Sequence, residues 1–248
     1  MPNFGASPGV TTTSKQAFHL YQGFMVVGLI VGGFTFLLIV FAAIAFRRRS
    51  DAIPRQTQYN TIIEIVYTTI PALIVAGLFY FTVIVENPAT AIAANPGAKV
   101  EVVAFQWGWK FNYPGHPVSI IGQTTQNPTM VVPEGETTEV KLVSIDVVHG
   151  FYVHQLNFSR YAQPGVTNLF DLHPNQVGQW QGQCTQLCGL YHSLMFFKFK
   201  VVPAAIYHSC LDSAASGTAF LTCTNQVRYP TKQSFRTGPN HIGVSNHG

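Results

Sequence analysis

The chain has 248 residues, room for one ordinary domain with a membrane anchor or for two small domains. Hydrophobic residues make up 47% of it and charged residues 10%, where a soluble domain carries about 25% charged, and this points away from an ordinary soluble protein. The net charge of +4 comes without a basic stripe, apart from Arg47-Arg48-Arg49, which excludes a nucleic-acid binder.

Two apolar runs, from about Gly23 to Phe46 and from about Ile65 to Val85, contain no charged residue. A spanning helix needs about 20 apolar residues to cross roughly 30 Å of hydrocarbon, so residues 23–86 are predicted to form a transmembrane helical hairpin. The connecting segment 47–63 carries Arg47, Arg48, Arg49 and Arg55 against Asp51 alone, a bias that keeps it on the cytoplasmic side. Residues 1–22 then form an extracytoplasmic tail, and everything after Val85 is extracytoplasmic as well. The tail lacks a basic n-region and a clear cleavage site, so the first helix is expected to act as its own export signal.

Gly28 and Gly32 make a small-xxx-small pair that lets another helix come close. Glu64 stands at the cytoplasmic edge of the second helix, where an acidic group is a functional candidate. The alternative is a solvated helix end, at which a first-turn carboxylate suits the helix dipole.

From Pro96 to about Pro203 the texture changes to short β-prone runs such as Val100–Phe105, Met130–Val132, Glu139–Leu142, Phe151–Val153 and Phe197–Val201. Turn signals at Pro114-Gly115, Pro133-Glu-Gly135 and Pro164-Gly165 separate them, which predicts a β-sandwich or barrel over 96–203. Residues 204–248 are rich in Ser, Thr, Asn and Gly and read as a loosely structured C-terminal tail. Cys210 and Cys223 within it read as a disulfide, with two free thiols as the alternative.

Cys184, Cys188, His192 and Met195 share one tight loop, and His149 lies upstream in Asp146-Val-Val-His149. Thiolate, imidazole and thioether together select copper, because soft sulfur stabilises Cu(I) while imidazole tolerates both oxidation states. Cys188, His192, Met195 and His149 would suffice for a mononuclear blue site. The additional Cys184 lets two thiolates bridge two coppers, with one histidine for each metal and weak outer contacts from Met195 and the backbone carbonyl of Gln186. A zinc site would leave Met195 without a role. A Cys184–Cys188 disulfide would ignore both histidines. The remaining histidines (His19, His116, His154, His173, His208, His241 and His247) lack such company and read as surface residues.

The hairpin, the phrase Gln106-Trp-Gly-Trp-Lys-Phe-Asn-Tyr113, the Asp146-Val-Val-His149 element and the Cys-x₃-Cys-x₃-His-x₂-Met loop occur together and in this order. On these the chain resembles subunit II of cytochrome c oxidase over nearly all of residues 20–203. The resemblance implies a cupredoxin-like β-barrel with a dinuclear copper centre, CuA, held by His149, Cys184, Gln186 through its carbonyl, Cys188, His192 and Met195. It implies that Trp107 receives electrons from a soluble donor, cytochrome c or a blue copper protein. It also implies that Glu64 lies at the mouth of a proton pathway. The implied partner is a haem–copper subunit I, which holds the haems and reduces oxygen with proton pumping, in a prokaryotic cell membrane. A copper subunit of a nitric oxide reductase and a copper-free quinol oxidase subunit are the competing functions.

Three positions depart from the family pattern. Gln186 replaces a Glu whose side chain helps bind magnesium at the interface with subunit I, Tyr161 replaces an Asp near that site, and Gly108 replaces an aromatic. Magnesium is thereby doubtful, while the copper contact at Gln186 needs only the backbone. After the helices the carboxylates are few, namely Glu86, Glu101, Glu134, Glu136, Glu139, Asp146, Asp171 and Asp212. A domain so poor in acidic charge is expected to face an acidic exterior and to meet its donor through apolar contacts.

Overall fold

The computed structural model describes residues 2–49, 51, 53 and 56–227. Arg55, and the tail from 228 with His241 and His247, lie outside the described residues. The chain divides into two compact units that meet in sequence at Ala91 and Ile92.

The first unit holds α1 (Thr12–Ala45) and α2 (Thr61–Thr90). At 1.5 Å per residue, helices of 34 and 30 residues extend about 51 and 45 Å, long enough to cross a membrane. Their apolar side chains, among them Ile30, Leu37, Phe41, Leu73 and Phe79, are largely exposed, as lipid-facing helices require. The first turns of α1 lie beside the last turns of α2: Leu20, Phe24 and Val27 line one apolar groove with Leu78, Phe81 and Ile84. The helices are therefore antiparallel.

Both helices run further than the apolar stretches indicate. The helix start expected near residue 23 lies at Thr12, because Thr11 and Ser14 cap it reciprocally (Ser14 N to Thr11 Oγ1, 3.0 Å; Thr11 N to Ser14 Oγ, 2.8 Å). Buried Ser14, Phe18 and Gln22 recur every fourth residue, and two of them are polar, so hydropathy alone overlooks this segment. In α2 the side chain of Asn60 caps Ile63 N, which moves the start four residues ahead of Ile65.

The second unit is a two-sheet sandwich. Its strands are β1 (Ala98–Phe105), β2 (Gly108–Tyr113), β3 (Val118–Gln123), β4 (Thr129–Glu134), β5 (Thr138–Ser144), β6 (His149–Val153), β7 (Phe158–Ala162), β8 (Asn168–Leu172), β9 (Gly178–Cys184) and β10 (Phe196–Pro203). One sheet has the order β3-β2-β1-β5-β8 and the other β4-β10-β9-β6-β7. β1 runs parallel to β5, β10 runs parallel to β4, and the other pairs are antiparallel. Burial alternates along β3 and β5, as a half-buried strand demands. The inward residues Trp109, Phe111, Phe151 and Phe197 meet edge-on or stacked at ring distances of 4.9–6.0 Å. Tyr113 ties the sheets together, since its hydroxyl accepts from Val131 N (2.8 Å) and donates to Val131 O (3.1 Å).

The segment after Pro203, expected to be loosely structured, instead forms α3 (Ala204–Ser213) and α4 (Gly217–Thr224). Its overall polarity hides a few well-spaced anchors. Tyr207, Cys210 and Leu211 share one buried face of α3, and Phe220 of α4 packs on Tyr113 (5.1 Å) and Tyr207 (5.9 Å). A Cβ at Gly217 would strike the Ser119 carbonyl, so α4 comes within backbone contact of β3. Cys210 and Cys223 are joined as a disulfide between the two helices, with Cα atoms 5.7 Å apart. Replacing both cysteines by serine is expected to lower the stability of the domain by roughly 2–4 kcal/mol, the range for a closed loop of this size. Denaturant titration measures the loss, and an unchanged midpoint would mean that the buried aromatics alone hold the helices.

Candidate metal centre

Strand register assembles the centre. β6 begins at His149 and β9 ends at Cys184, and the two strands pair with Phe151 opposite Cys184. His149 Nδ1 therefore lies 3.9 Å from Cys184 Sγ. The chain then leaves β9 in a loop that closes on itself: Thr185 N donates to Gly150 O (3.1 Å), and Cys184 N to Met195 O (3.0 Å). A 3-10 turn over His192–Leu194 lifts His192 back toward the sulfurs. Gly189, at φ +117°, makes the reversal possible; a Cβ there would be strained and would crowd the Trp107 ring.

The loop brings Cys184 Sγ and Cys188 Sγ to 3.8 Å, close but unbonded. His192 Nδ1 stands 3.5 Å from Cys188 Sγ, Met195 Sδ 3.9 Å from the same sulfur, and the Gln186 carbonyl 3.3 Å from Cys184 Sγ. His149, Cys184, Cys188 and Met195 are buried, and His192 is half-buried. All six residues expected to hold metal thus converge. The donor set fits copper: two free thiols near enough to be shared, an imidazole nitrogen beside each, and a thioether that a harder ion would not use.

Asp146 enters the Asp146-Val-Val-His149 element without a role of its own, although its place three residues before His149 is the signal for one. Its Oδ1 lies 2.9 Å from His149 Nε2, and its carboxylate accepts from Gln106 N (2.6 Å) and Val147 N (2.6 Å). This fixes the ring and leaves Nδ1 directed at the sulfur. Burial works against ionisation of Asp146, but His149 and the two N–H donors outweigh it and hold the carboxyl below its usual range. His149 is raised in turn, since Cys184 and Asp146 overcome the opposing effect of burial.

The two thiols split widely. Burial opposes ionisation of Cys184, yet His149 and the Gly150 N–H bring it down to about 6. Cys188 is pushed up to about 12 by burial and by the charge on Cys184. Near neutral pH the metal-free pair holds one proton and one negative charge.

Trp107 reaches the same loop. Its Nε1 donates to Cys188 O (3.1 Å), Gln106 Nε2 donates to that oxygen (2.7 Å), and Tyr191 meets the indole edge-on at 5.0 Å. Gly108 has a steric reason, because a Cβ there would run into the Gly122 carbonyl and the Phe105 ring. Tyr161 is exposed on β7 opposite Gly150. Glu64 belongs to the other unit, where its Oε1 accepts from Asn60 N (3.1 Å) in the first turn of α2. His19, His116, His154, His173 and His208 pair with Gln22, Asp212, Tyr152, Thr137 and Glu136, away from the cluster.

Two family descriptions match. Residues 3–83 match "Cytochrome C oxidase subunit II, transmembrane domain" and residues 116–202 match "Cytochrome C oxidase subunit II, periplasmic domain". The second match takes in all six converging residues but begins beyond Trp107. A probable cytochrome c oxidase subunit 2 of Streptomyces avermitilis is 33% identical, covering 86% of this chain and 80% of that protein. A cytochrome c oxidase subunit 2 of Mycobacterium bovis is 26% identical over 91% and 79%. Among solved structures, the periplasmic domain of subunit II of cytochrome oxidase from Bradyrhizobium japonicum matches with TM-score 0.44 and 24% identity, covering 50% of this chain and 96% of that one.

The split of the thiols makes metal uptake depend on pH. At neutral pH and above copper must displace the Cys188 proton, so apparent affinity should rise by about tenfold per pH unit, and more steeply toward lower pH where His149, itself raised, also holds a proton. Below about 6, protonation of Cys184 adds to that of His149 and the slope steepens further. Competition against a chelator across this range measures it; a flat profile would show that both thiols are already ionised.

Proposed function

The chain belongs to the cytochrome c oxidase subunit II family, and from that premise we propose that its paired thiols hold the dinuclear CuA centre by which electrons enter the oxidase. It is thereby a subunit of a haem–copper oxidoreductase complex. The observation that carries the copper reading is the 3.8 Å separation of two buried, unbonded sulfurs, each with an imidazole Nδ1 within 3.9 Å. When bound, a thiolate-bridged copper pair supplies one-electron exchange with little change in bond length.

The chain's own residues do the rest. Cys184, Cys188, His149 and His192 would hold the copper, with Met195 and the Gln186 carbonyl as weaker contacts. Asp146 holds His149 in one orientation, which keeps the donor geometry constant through redox change. Trp107, half-buried and bonded to the Cys188 carbonyl, forms the path from the surface to a ligand. Electrons leave for the haems of subunit I. Gln186 has no side-chain charge, and no magnesium site is proposed. The complete donor set is what a copper-free quinol oxidase subunit would not need.

The hairpin is proposed to cross a prokaryotic membrane twice, with Arg47, Arg48 and Arg49 in the cytoplasm and the copper domain facing an acidic exterior. A Cβ built at Gly28 or Gly32 meets no atom within 4 Å, which leaves that face of α1 open to a helix of subunit I. Glu64, beside its capping contact with Asn60, is proposed to stand at the mouth of a proton path into that subunit.

Low-temperature EPR with copper counting on the purified complex tests the relay. One electron shared equally over two copper nuclei gives a seven-line hyperfine pattern, at two coppers per chain beyond those of the catalytic subunit. Cys184→Ser should abolish it. A four-line pattern in the unmodified chain would mean a mononuclear blue site, with no bridging role for Cys184.

A further inference from the structure

We propose that the copper end of the sandwich is the docking face for a soluble electron carrier that presents an uncharged, apolar surface over its own redox centre, and that the encounter proceeds without electrostatic steering. This rests on the reading of the domain as an electron relay and names the kind of partner that reading requires.

The register places five connections at one end of the sandwich: residues 106–107, 124–128, 145–148, 163–167 and 185–195. Asp146 is the single Asp, Glu, Lys or Arg among them, and the one histidine, His192, belongs to the metal centre. Its carboxylate is already engaged by His149 and by the backbone of Gln106 and Val147. This end exposes large apolar side chains, including Leu190 (79% exposed) and Ile145 (71%), with Tyr191 and Val147, set among uncharged polar ones such as Gln106, Asn127 and Gln163. These form one patch around Trp107. Tyr191 touches its ring, Gly189 lies against it, and Asp146 links the 145–147 turn to Gln106.

Charge elsewhere gives the partner its character. The charges set back along the neighbouring strands are Lys110, Arg160 and Lys198, all cationic. The acidic residues of this unit lie away from that end or are engaged. Glu134 ends β4 and Glu136 follows it at the opposite end; Asp212 meets His116 there; Asp171 accepts from Ala93 N; and Glu101 and Glu139 pair with Lys141 and Lys99 on the outer face of a sheet. A lysine-rich carrier would find no carboxylate to pair with and would leave its charges desolvated, which costs free energy. An uncharged apolar face avoids that charge desolvation and gains the burial of Leu190, Ile145 and Tyr191.

The test is the second-order rate of electron transfer into the purified complex from two probes: a reduced blue copper protein with an uncharged face over its copper, and a reduced lysine-rich cytochrome c. The blue copper probe should react the faster, and its rate should change less than about twofold between low and high salt, where steered pairs fall by about tenfold or more. Leu190→Asp should slow it by about tenfold while the copper count per chain is retained. A steep fall with salt, a faster reaction with the cytochrome, or an unaltered rate in Leu190→Asp overturns the proposal. So does loss of the other oxidase subunits from the Leu190→Asp complex, which would show that the patch is covered within the assembly. A small-molecule reductant applied to the unmodified complex separates the two readings. If it too fails to reduce the copper, the relay itself is wrong and the docking proposal falls with it.

Discussion

The pairing of β6 with β9 is the constraint on which the centre depends. With Phe151 opposite Cys184, His149 stands at the mouth of the sandwich beside the first sulfur, and the loop that follows can return only through the hydrogen bonds at Thr185 and Met195. Slipping the register by one residue would turn Cys184 to the other face of its strand and dissolve the cluster. The close aromatic core beneath resists that slip. Trp109, Phe151 and Phe197 interlock, and Gly182 lets the Phe197 ring lie where any Cβ would collide.

Electrostatics are concentrated where they serve the centre. Around the thiols, the Asp146–His149–Cys184 chain balances a negative charge that burial alone would not allow. On the remainder of the domain charge is sparse and mostly paired. Hydrogen bonds from Lys141 and Asn112 hold Glu101 below the usual carboxylate range. The stabilisation such a group provides is present above its unfolded pKa and lost as pH falls through its folded pKa. A domain with few of these pairs has little to lose in the acidic exterior proposed for it, and the same scarcity leaves the copper end free of steering charge.

The site was legible to an unusual degree because its ligands are chemically distinctive and close in sequence. Cys184, Cys188, His192 and Met195 fall within twelve residues, and spacing alone indicates one loop. The two long helices were legible for a similar reason, since lipid demands an unbroken apolar run. Their true ends were not, because capping by Thr11, Ser14 and Asn60 is done by polar residues that hydropathy discounts. The segment after Pro203 was misread for the converse reason. Its polar composition dominates any average, whereas its fold rests on Tyr207, Leu211, Phe220 and one disulfide.

The sequence by itself determined the two long apolar helices, the β-rich domain, the family and the residues proposed to hold copper, because each is a matter of residue type and short-range spacing. Tertiary structure alone decided that His149 joins a loop thirty-five residues away, that Asp146 orients it, and that Cys184 and Cys188 ionise so differently. It also decided that five connections distant in sequence share one nearly uncharged end. Those outcomes depend on which strands pair and in what register, and pairing is set by a core whose contacts are long-range.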